Sequence, residues 1–432
     1  MSDFPSWGRY PGGEQQGAYL ASRRHAFPAH EGSVLPYGLG RSYGTSCQNL
    51  QGTVLSTKQL NQFIAFDPDT GILHCEAGVT LAEILTVFIP KGWFLPVTPG
   101  TKYVTVAGAI ANDVHGKNHV QAGSFSCHLH GFYLLRSDGV HFYCSATENS
   151  EWFAATVGGI GLTGIISSAH IQLKKINSRF VDSETIKYAN LDEFFSLSDA
   201  SEHTHEYTAA WLDCLAKGEH LGRGHFIRGN HADDGELALA KQKAKLSMPI
   251  VPPVSLVNGL SLRAFNQLYY HRQQQSKKQS NLDYDPFFYP LDGILHWNRM
   301  YGKNGFVQYQ CVIPKAQAKE AIRAILQRIS HAGEGSFLVV LKMMGDKAGK
   351  GLLSFPQEGV TLAIDFPFRG QKTLALLSAL DTLVLQAAGR LYIAKDARMS
   401  ADVFRRSYPQ WQQLETMRDP AILSDFWRKV AL

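Results

Sequence analysis

Residues 98–119 read TPGTKYVTVAGAIANDVHGKNH, and this stretch decides how the rest of the chain is interpreted. Pro99 and Gly100 predict a turn. The small residues of 107–111 leave a backbone with almost no side chains, against which a planar ligand can lie. A polar, ionisable cluster, 112–119, follows directly. Two interpretations stay open on this stretch alone: a small-residue helix packed on a sheet before a surface loop, or a ligand-binding surface.

Composition and charge are those of an ordinary globular protein. With 432 residues, 44% of them apolar and 11% aromatic, the chain has room for two domains with ample cores. Its 42 basic and 37 acidic residues are spread along the chain without a basic block, so a nucleic-acid-binding protein is not predicted. The six cysteines form no C-x-x-C pair, which favours neither a metal site nor a disulfide framework.

The N-terminal residues, MSDFPSWGRYPGGEQQ, contain neither the basic region nor the apolar region of a signal peptide. No later window approaches the roughly 18 apolar residues needed to span a bilayer. We therefore expect a soluble protein that is made and kept in the cytoplasm.

A glycine-rich loop, SVLPYGLGRSYGTS at 33–46, follows a predicted short strand. Its glycines are permissive in backbone conformation, Arg41 adds a charge, and several hydroxyls follow. Successive backbone N–H groups in such a turn can form a nest for a phosphate or pyrophosphate. The spacing is not G-x-G-x-x-G and no amphipathic helix follows, so a Rossmann site is not predicted. A purely structural loop stays an open alternative.

The pattern of strands and helices predicts an α+β fold. Residues 53–95 alternate short strands with one helix, 129–145 predict a hairpin around Ser137-Asp138-Gly139, and 151–173 predict a short helix, a glycine cluster and an apolar strand. After Lys174 the glycine density falls. From 306 to 388 the order strand, helix, strand, strand, helix predicts one antiparallel sheet covered by helices on one side, with the last helix closed by Gly389.

Residues 231–285 are the least regular part of the chain. A charged stretch leads into LSMPIVPPVSLVNGLSL (246–262), which is either a packed irregular connection or a mobile apolar loop that contacts lipid. Residues 272–285 are polar enough to predict disorder. Together these segments could form a lid over a substrate site.

Four glycine segments in order resemble the vanillyl-alcohol oxidase, or PCMH-type, family of flavoproteins: GLGRSYG (38–44), AGVTL (77–81), PGTKYVTVAGAIANDVHGKNH (99–119) and VGGIGLTGII (157–166). The resemblance continues through FVQYQCVIP (306–314) and LYIAKDAR (391–398). It implies an α+β fold of two domains. These are a PCMH-type FAD-binding domain at 1–176, a substrate domain at 177–388 on an antiparallel sheet covered by helices, and a C-terminal segment at 389–432 that returns to the first domain.

The resemblance implies that FAD lies against the glycine segments. The expected cofactor-binding residues are Gly38, Gly40, Arg41, Ser42, Tyr43, Gly44, Gly100, Thr105, Val106, Gly108, Asn112, His115, Ile166 and Tyr392. Many relatives attach FAD covalently through a histidine in the first glycine loop. Arg41 and Ser42 stand there in this chain, and neither can form a histidyl-flavin bond, so we expect non-covalent FAD.

The implied activity is oxidation of the 2-hydroxyl of a polyprenyl-phosphate pentose, the ribofuranose, to a 2-keto form. A separate short-chain dehydrogenase/reductase would complete the 2′-epimerisation. The lipid tail implies association with the inner face of the cytoplasmic membrane without a spanning helix. Two alternatives stay open: an FAD-dependent oxidase of a free sugar alcohol or aldonolactone, and a non-catalytic flavin-binding subunit or glycosyl-lipid carrier.

Site residues are carried over from the resemblance by position. The expected catalytic residues are Lys395, His115 and Tyr43, and the expected substrate-binding residues are Lys117, Trp211, Gln308, Gln310, Lys342 and again Lys395. Lys395 is either a base, which requires a lowered pKa, or a protonated group that stabilises negative charge.

Three positions depart from the family pattern. Mycobacterial members carry a cysteine where this chain has Ala363, a tyrosine where it has Phe288, and an asparagine where it has Thr361. The cysteine is therefore not needed for the implied chemistry. The departures concern the choice of sugar and lipid more than the reaction.

Overall fold

The structure is a computed structural model that describes residues 4–24, 26–239 and 246–432. Its strands in these ranges are β1 Gln16–Tyr19, β2 Val34–Tyr37, β3 Thr53–Ser56, β4 Phe63–Phe66, β5 Ile72–Glu76, β6 Trp93–Phe94, β7 Leu129–Leu135, β8 His141–Ser145, β9 Ile165–Gln172, β10 Lys174–Lys175, β11 Phe180–Tyr188, β12 Tyr207–Leu212, β13 Gly224–His231, β14 Leu246–Ser247, β15 Lys277–Asp283, β16 Ile294–Leu295, β17 Phe306–Pro314, β18 Val339–Met344, β19 Gly359–Pro367 and β20 Arg390–Leu391.

The α-helices in the same ranges connect and cover these strands. They are α1 Leu81–Phe88, α2 Val106–Ala111, α3 His119–Ala122, α4 Ser150–Thr156, α5 Leu191–Ser201, α6 Gly259–His271, α7 Tyr284–Phe288, α8 Lys315–Ala332, α9 Gln371–Gln386, α10 Ala401–Ser407, α11 Trp411–Met417 and α12 Asp425–Val430. Of the helices in the described ranges, none combines the length and the apolar character needed to cross a bilayer.

The first large sheet is antiparallel, with the strand order β4-β5-β9-β7-β8. Its strands β7 and β8 form the predicted hairpin, and Gly139 supplies the positive φ of 86° that the turn requires. A smaller parallel sheet, β1-β3-β2, ends at Tyr37 and leads into the first glycine-rich loop.

The second large sheet has eight strands in the order β15-β11-β13-β12-β18-β19-β17-β20, and every neighbouring pair is antiparallel. Helix α8 buries the apolar side chains at Ala318, Ile322 and Ile325, as their spacing predicts, and packs on β17 and β19. Helices α5 and α9 also contact strands of this sheet. The α+β class with a helix-covered antiparallel sheet is therefore confirmed.

The C-terminal segment lies against the N-terminal part of the chain. Ile422 forms a parallel bridge with Val34, and the amide of Leu423 donates to the carbonyl of Val34 at 2.9 Å. The amide of Asp419 donates to the carbonyl of Leu162 at 2.9 Å. Part of the segment 389–432 thus contacts residues of the predicted first domain. The domain boundaries at 176 and 388 stay a prediction.

One prediction of disorder is wrong. Within 272–285, residues Lys277–Asp283 form the edge strand β15 of the large sheet. Its polar side chains are held by partners on β11: Lys277 forms an ion pair with Glu184, and the amide of Asn281 donates to Asp182 at 2.8 Å. Cross-strand polar pairs order a strand whose composition alone suggests disorder.

The predicted end of the last sheet-covering helix also needs correction. Helix α9 ends at Gln386, and the left-handed residue after it is Ala388, with φ of 52°. Gly389 has a different role, because a Cβ there would lie 2.6 Å from the carbonyl oxygen of Val312. Of the predicted mobile segment 231–285, residues 240–245 lie outside the described residues.

Candidate active site

One cavity of about 730 Å³ joins the glycine-rich segments to the face of the eight-stranded sheet opposite its helices. The sheet contributes alternate residues, which share a face: Lys342 on β18, Gln308 and Gln310 on β17, and Asp365 on β19. The volume of the cavity lies in the range typical of pockets for small molecules and cofactors.

The first glycine-rich loop forms one end of the cavity. Gly40 has φ of 60°, and a Cβ there would lie 2.0 Å from the Tyr37 hydroxyl, which donates to the carbonyl of Pro5 at 2.7 Å. Only glycine fits this turn. Arg41 lies 4.2 Å from the Trp7 ring and donates through Nε to the carbonyl of Tyr103 at 2.9 Å, so its charge is fixed at the cavity wall.

Residues 98–119 combine the two interpretations that the sequence left open. Helix α2 buries Val106, Ala109 and Ile110, while its small residues Ala107 and Gly108 line the cavity. The helix is therefore packed on the fold by one side and presents bare backbone to the cavity by the other.

The cavity wall has the features that a flat, phosphate-bearing cofactor needs. No atom lies within 4 Å of the position of a Cβ at Gly100, so the backbone there is open. The buried hydroxyl of Ser46 lines the cavity and has no hydrogen-bond partner among the described residues. An open glycine, an unpartnered hydroxyl and the charge of Arg41 together fit FAD.

Most of the predicted cofactor-binding residues line this cavity. They are Gly38, Gly40, Arg41, Ser42, Tyr43, Gly100, Thr105, Gly108, Asn112, His115, Ile166 and Tyr392. Gly44 and Val106 do not. Val106 is fully buried, and a Cβ at Gly44 would lie 2.1 Å from the carbonyl oxygen of Asp396; their predicted contact with the cofactor stays a prediction.

All of the predicted catalytic and substrate-binding residues line the same cavity. They are Lys395, His115, Tyr43, Lys117, Trp211, Gln308, Gln310 and Lys342. They come from segments far apart in the chain, and the fold brings them to one space. Their individual roles stay predictions.

Lys395 reaches the cavity from the C-terminal segment. The amide of Tyr43 donates to the carbonyl of Ala394 at 2.9 Å, which fixes this segment against the glycine-rich loop. The Lys395 ammonium lies 4.1 Å from the Tyr43 ring centroid. Burial lowers the pKa of Lys395 to about 8, although the nearby Asp365 carboxylate opposes this shift.

Asp365 is a site residue that the sequence did not reveal. It stands opposite Gln308 in the β17–β19 register, and the Gln308 amide donates to its Oδ1 at 2.6 Å. The Tyr301 hydroxyl donates to Oδ2 at 3.3 Å. The residue is 1% exposed, and burial raises the pKa of its carboxyl to about 7. Its one sequence signal is a carboxylate within the apolar strand VTLAIDFP.

His115 is held on both sides by cavity residues. Lys342 Nζ lies 2.7 Å from its Nδ1, and the Gln310 amide lies 3.0 Å from its Nε2. Lys342 also donates to the carbonyl of Gly116. Burial, together with the charge of Lys342, lowers the pKa of His115 well below its usual value, so the imidazole is neutral.

A neutral imidazole has one N–H, so the two contacts of His115 depend on each other. An ammonium at Lys342 can only donate, which makes Nδ1 the acceptor and gives Nε2 the proton. That arrangement would require the Gln310 oxygen at Nε2, whereas the Gln310 amide nitrogen lies there and also donates to the Thr361 hydroxyl. Burial lowers the pKa of Lys342 to about 7, with help from Lys117, and a neutral Lys342 permits the reverse arrangement.

Lys117 and Trp211 already make protein contacts through their polar atoms. Lys117 donates to the carbonyl of Phe287 at 2.6 Å, and burial lowers its pKa to about 8. The indole N–H of Trp211 donates to the carbonyl of Phe337 at 2.8 Å, so the side chain offers the cavity an apolar face. Its ring packs 4.5 Å from that of Tyr269, which also lines the cavity.

The three departures from the family pattern all lie on the cavity wall. Ala363 stands between Gln310 and Val340 in the sheet register, and Phe288 packs in an aromatic cluster. The Thr361 hydroxyl accepts from the Gln310 amide at 3.2 Å. Their side chains therefore shape the space next to the predicted substrate residues.

Comparison with known proteins gives consistent results. The model of an FAD binding domain matches residues 20–145. Decaprenylphosphoryl-beta-D-ribose oxidase of Mycolicibacterium smegmatis is 37% identical over 422 residues, which cover 94% of this chain and 91% of the relative. A Streptomyces coelicolor protein named only for its place in the mprA 5′ region is 31% identical over 375 residues, covering 82% of this chain and 100% of the relative. L-gulonolactone oxidase 4 of Arabidopsis thaliana, a probable assignment, is 29% identical over 48% of this chain and 36% of the relative.

Proposed function

This chain belongs to the vanillyl-alcohol oxidase, or PCMH-type, family of FAD-dependent oxidoreductases, and we propose that it oxidises the 2-hydroxyl of a polyprenyl-phosphate ribofuranose to the 2-keto form. FAD is its cofactor, and its reaction is the oxidation of a CH–OH group. The named oxidase of Mycolicibacterium smegmatis, which this chain matches over 94% of its length, supports the choice of sugar.

The observation that carries the proposal is the single cavity shared by the glycine segments and the polar face of the large sheet. One end offers bare backbone, a positive charge and an unpartnered hydroxyl. The other end offers amides, amines and a carboxyl that suit a sugar with several hydroxyls and a phosphate. An alcohol oxidase needs these two zones side by side.

FAD, when bound, supplies the acceptor for the hydrogen and the two electrons that leave C2 of the sugar. The residues that would hold it are the glycines at 38, 40 and 100, with Arg41 and Ser46 toward its phosphates. We propose that it is held without a covalent bond, because Arg41 and Ser42 stand where relatives carry a linking histidine.

Lys395 takes the hydroxyl proton in this proposal. A base must bind the proton in one step and release it in the next, which is easiest for a group whose pKa lies near the working pH. The lowered pKa of Lys395, about 8, meets that condition. Asp365 stands close enough to stabilise the resulting ammonium, and Gln308 fixes the orientation of its carboxylate.

The remaining polar side chains position the substrate. His115 holds the Gln310 side chain in place, and the amide oxygen of Gln310 can accept from a ribose hydroxyl. Lys117 has N–H groups left for the phosphate, because its ammonium makes one hydrogen bond among the described residues, to the carbonyl of Phe287, and otherwise lies 4.7 Å from the Phe287 ring. Tyr43 lies beneath Lys395 and keeps water from its ammonium.

The product and the tail of this substrate imply two partners. A separate short-chain dehydrogenase/reductase reduces the 2-keto product to the arabinose epimer. The polyprenyl tail keeps the substrate in the cytoplasmic membrane, so the enzyme meets it at the membrane surface.

Anaerobic reduction tests this function. Adding polyprenyl-phosphoryl ribose to the FAD-loaded protein should bleach the flavin absorption, and the sugar product should carry a keto group at C2. Free ribitol, arabinitol and an aldonolactone serve as comparison substrates. Bleaching by the free polyols or the lactone alone would overturn the lipid-linked assignment while leaving the flavoenzyme chemistry in place.

A further inference from the structure

Exposed apolar side chains are concentrated in one part of the described surface. Of fifteen large hydrophobic residues that are exposed, ten lie in 246–268, in β16 or at Val340. Contiguous exposed apolar surface of this kind marks a site of interaction.

Helix α6 carries apolar side chains on its exposed face as well as on its buried face, where Leu262 and Tyr270 lie. Its buried face includes Asn266, whose amide donates to Asp213 at 2.7 Å. Its outer row carries Leu260 and Leu268, which are 81% and 74% exposed. Residues eight apart lie on one face, so two leucines point outward where a soluble helix has polar residues. Nothing else in the described structure covers them.

The segment before α6 extends this surface. Leu246 pairs with Ile294 between β14 and β16, and the amide of Leu256 donates to the carbonyl of Met300 at 2.9 Å. Leu246, Ile250 and Val254 are all exposed. Residues 246–256 are therefore fixed along 294–302 with these apolar side chains outward, whereas Val257 and Leu262 are buried.

The exposed apolar surface continues into the cavity. Phe265 of α6 stacks 5.4 Å from Tyr269 and lies 4.7 Å from Phe337. Tyr269 lines the cavity, and Val340 lines it while being exposed. The aromatic rings of Phe265 and Tyr269 therefore join this surface to the cavity, and Arg272 lies over the Tyr269 ring.

The segments that form and adjoin this surface carry basic but no acidic side chains, although Lys277 is paired with Glu184 of β11. Residues 246–281 contain Arg263, Arg272, Lys277 and Lys278 but no aspartate or glutamate, and 293–305 contain Arg299 and Lys303 with no acidic residue. Basic residues beside an apolar helix face attract anionic lipid head groups.

We propose that α6, residues 246–256 and β16 form a docking surface for an anionic phospholipid bilayer, with the active-site cavity opening onto that bilayer. The leucines of α6 enter the acyl boundary, and the basic side chains contact the head groups. This proposal rests on the proposed function, since a lipid-linked sugar could then reach the cavity while its tail stays in the membrane.

Vesicle co-sedimentation of the FAD-loaded protein tests the surface without any substrate. We expect binding to equimolar phosphatidylglycerol and phosphatidylcholine vesicles, weaker binding to phosphatidylcholine alone, and loss of binding as salt is added. The double variant Leu260→Asp, Leu268→Asp should bind at least about tenfold more weakly, because each leucine loses its apolar burial. Val140→Asp, at an exposed hairpin turn, is the matched control and should bind like the wild type.

Two outcomes would overturn the docking surface. One is equal vesicle binding by the double variant and the wild type. The other is a dimer that depends on Leu260 and Leu268, seen by sedimentation velocity without vesicles, since that would assign the face to a second copy of this chain.

A short-tailed, water-soluble polyprenyl-phosphoryl ribose separates the two proposals. We expect the double variant to oxidise it as fast as the wild type, which supports a role in docking alone. Turnover of this substrate without any vesicle binding would overturn the docking surface and leave the proposed function standing. Leucine-dependent vesicle binding without turnover of any lipid-linked ribose would support the docking surface and reject the proposed function.

Discussion

Two buried ionisable groups of opposite sign, Lys395 and Asp365, face one cavity, and their pKa values approach each other from opposite directions. Burial lowers the pKa of the amine and raises that of the carboxyl, while each charge opposes the shift of the other. Gln308 and Tyr301 hold the carboxylate in place. A proton can therefore reside on either group near neutral pH, which suits a site that accepts and later releases one.

Replacing the proposed base should stop turnover while sparing the fold. We expect Lys395→Met to lower kcat by about 10² to 10⁴ because a proton acceptor is lost. The variant should keep its FAD, although its unfolding temperature should fall as the buried carboxyl of Asp365 loses its neighbouring ammonium. Flavin content, thermal unfolding and anaerobic bleaching are the measurements. Bleaching at the wild-type rate would remove Lys395 from the chemistry.

The carboxyl of Asp365 should set the pH at which Lys395 loses its proton. Its charge raises the pKa of Lys395, so Asp365→Asn should lower that pKa. The limb on which kcat rises with pH should then move to lower pH by about one unit. Asp138→Asn, in an exposed turn, should leave the pH profile unchanged. An unshifted profile in Asp365→Asn would show that the two groups do not interact.

The same substitution should alter the pH dependence of stability. The folded pKa of Asp365, about 7, lies above the value of about 4 for an exposed aspartate. Between these values the folded state binds the proton more tightly, so this carboxyl costs stability as pH rises. The free energy of unfolding of Asp365→Asn, relative to that of the wild type, should therefore increase as the pH rises from about 4 to 7. Denaturant unfolding across this range measures the difference. A free energy of unfolding of the variant that falls relative to that of the wild type as pH rises would contradict the prediction.

The residue at 363 should decide whether the cavity carries a reactive thiol. The wild type has alanine there, and burial raises the pKa of Cys47, the cysteine on the cavity wall, to about 12. We expect iodoacetamide to leave the cavity of the wild type unmodified and to label Ala363→Cys at position 363 by peptide mapping. Labelling of Cys47 at a similar rate in the wild type would contradict the expected inertness.

At the scale of elements, the C-terminal segment depends on the first glycine-rich loop. Gly44 has φ of −135° and ψ of −141°, and its neighbour leaves no room for a side chain. A Cβ would lie 2.1 Å from the carbonyl oxygen of Asp396. Gly44→Ala must therefore displace the segment that carries Lys395, and we expect kcat to fall by up to about 100-fold.

Gly293→Ala is the control for this substitution, because no atom lies within 4 Å of its Cβ position. Steady-state kinetics and thermal unfolding of both variants give the comparison. Wild-type kcat in Gly44→Ala would mean that the position of Lys395 does not depend on this contact.

Elements with a clear local period could be predicted from the sequence, and others could not. The apolar spacing of α8 and the turn residues of the β7–β8 hairpin are local signals, and both appear in the structure. Strand β15 has polar residues on both faces, and the partners that order it lie about 95 residues away, on β11. Helix α6 shows no clear helical spacing of apolar residues in the sequence, because its apolar residues are divided between the buried and exposed faces.

At the scale of the whole molecule, the active site is a product of sheet register. Gln308 and Asp365 face each other only because β17 and β19 pair in one alignment, and a slip of one residue would turn Asp365 to the other side. The sequence shows each of these residues but not that the two face each other. The family resemblance supplied the predicted site residues, whereas the role of Asp365 required the paired strands.

The cavity's position between the glycine segments and the large sheet also governs how FAD is held. Among the side chains on its wall that could in principle form a covalent bond with a flavin are His115, Cys47 and Tyr43. His115 has both ring nitrogens engaged, Cys47 points its sulfur at the carbonyls of Ser42 and Gly44, and burial raises the pKa of Tyr43 well above its usual value. Each is therefore a poor nucleophile in this fold.

We accordingly expect dissociable FAD. Acid precipitation should leave the flavin in the supernatant, and mass spectrometry of the pellet should give the unmodified chain. Because FAD contacts both sides of the cavity in this arrangement, added FAD should raise the unfolding temperature of the stripped protein by an amount that grows with its concentration. Colour that stays with the acid pellet would identify a covalent bond, and peptide mapping would then locate the modified side chain.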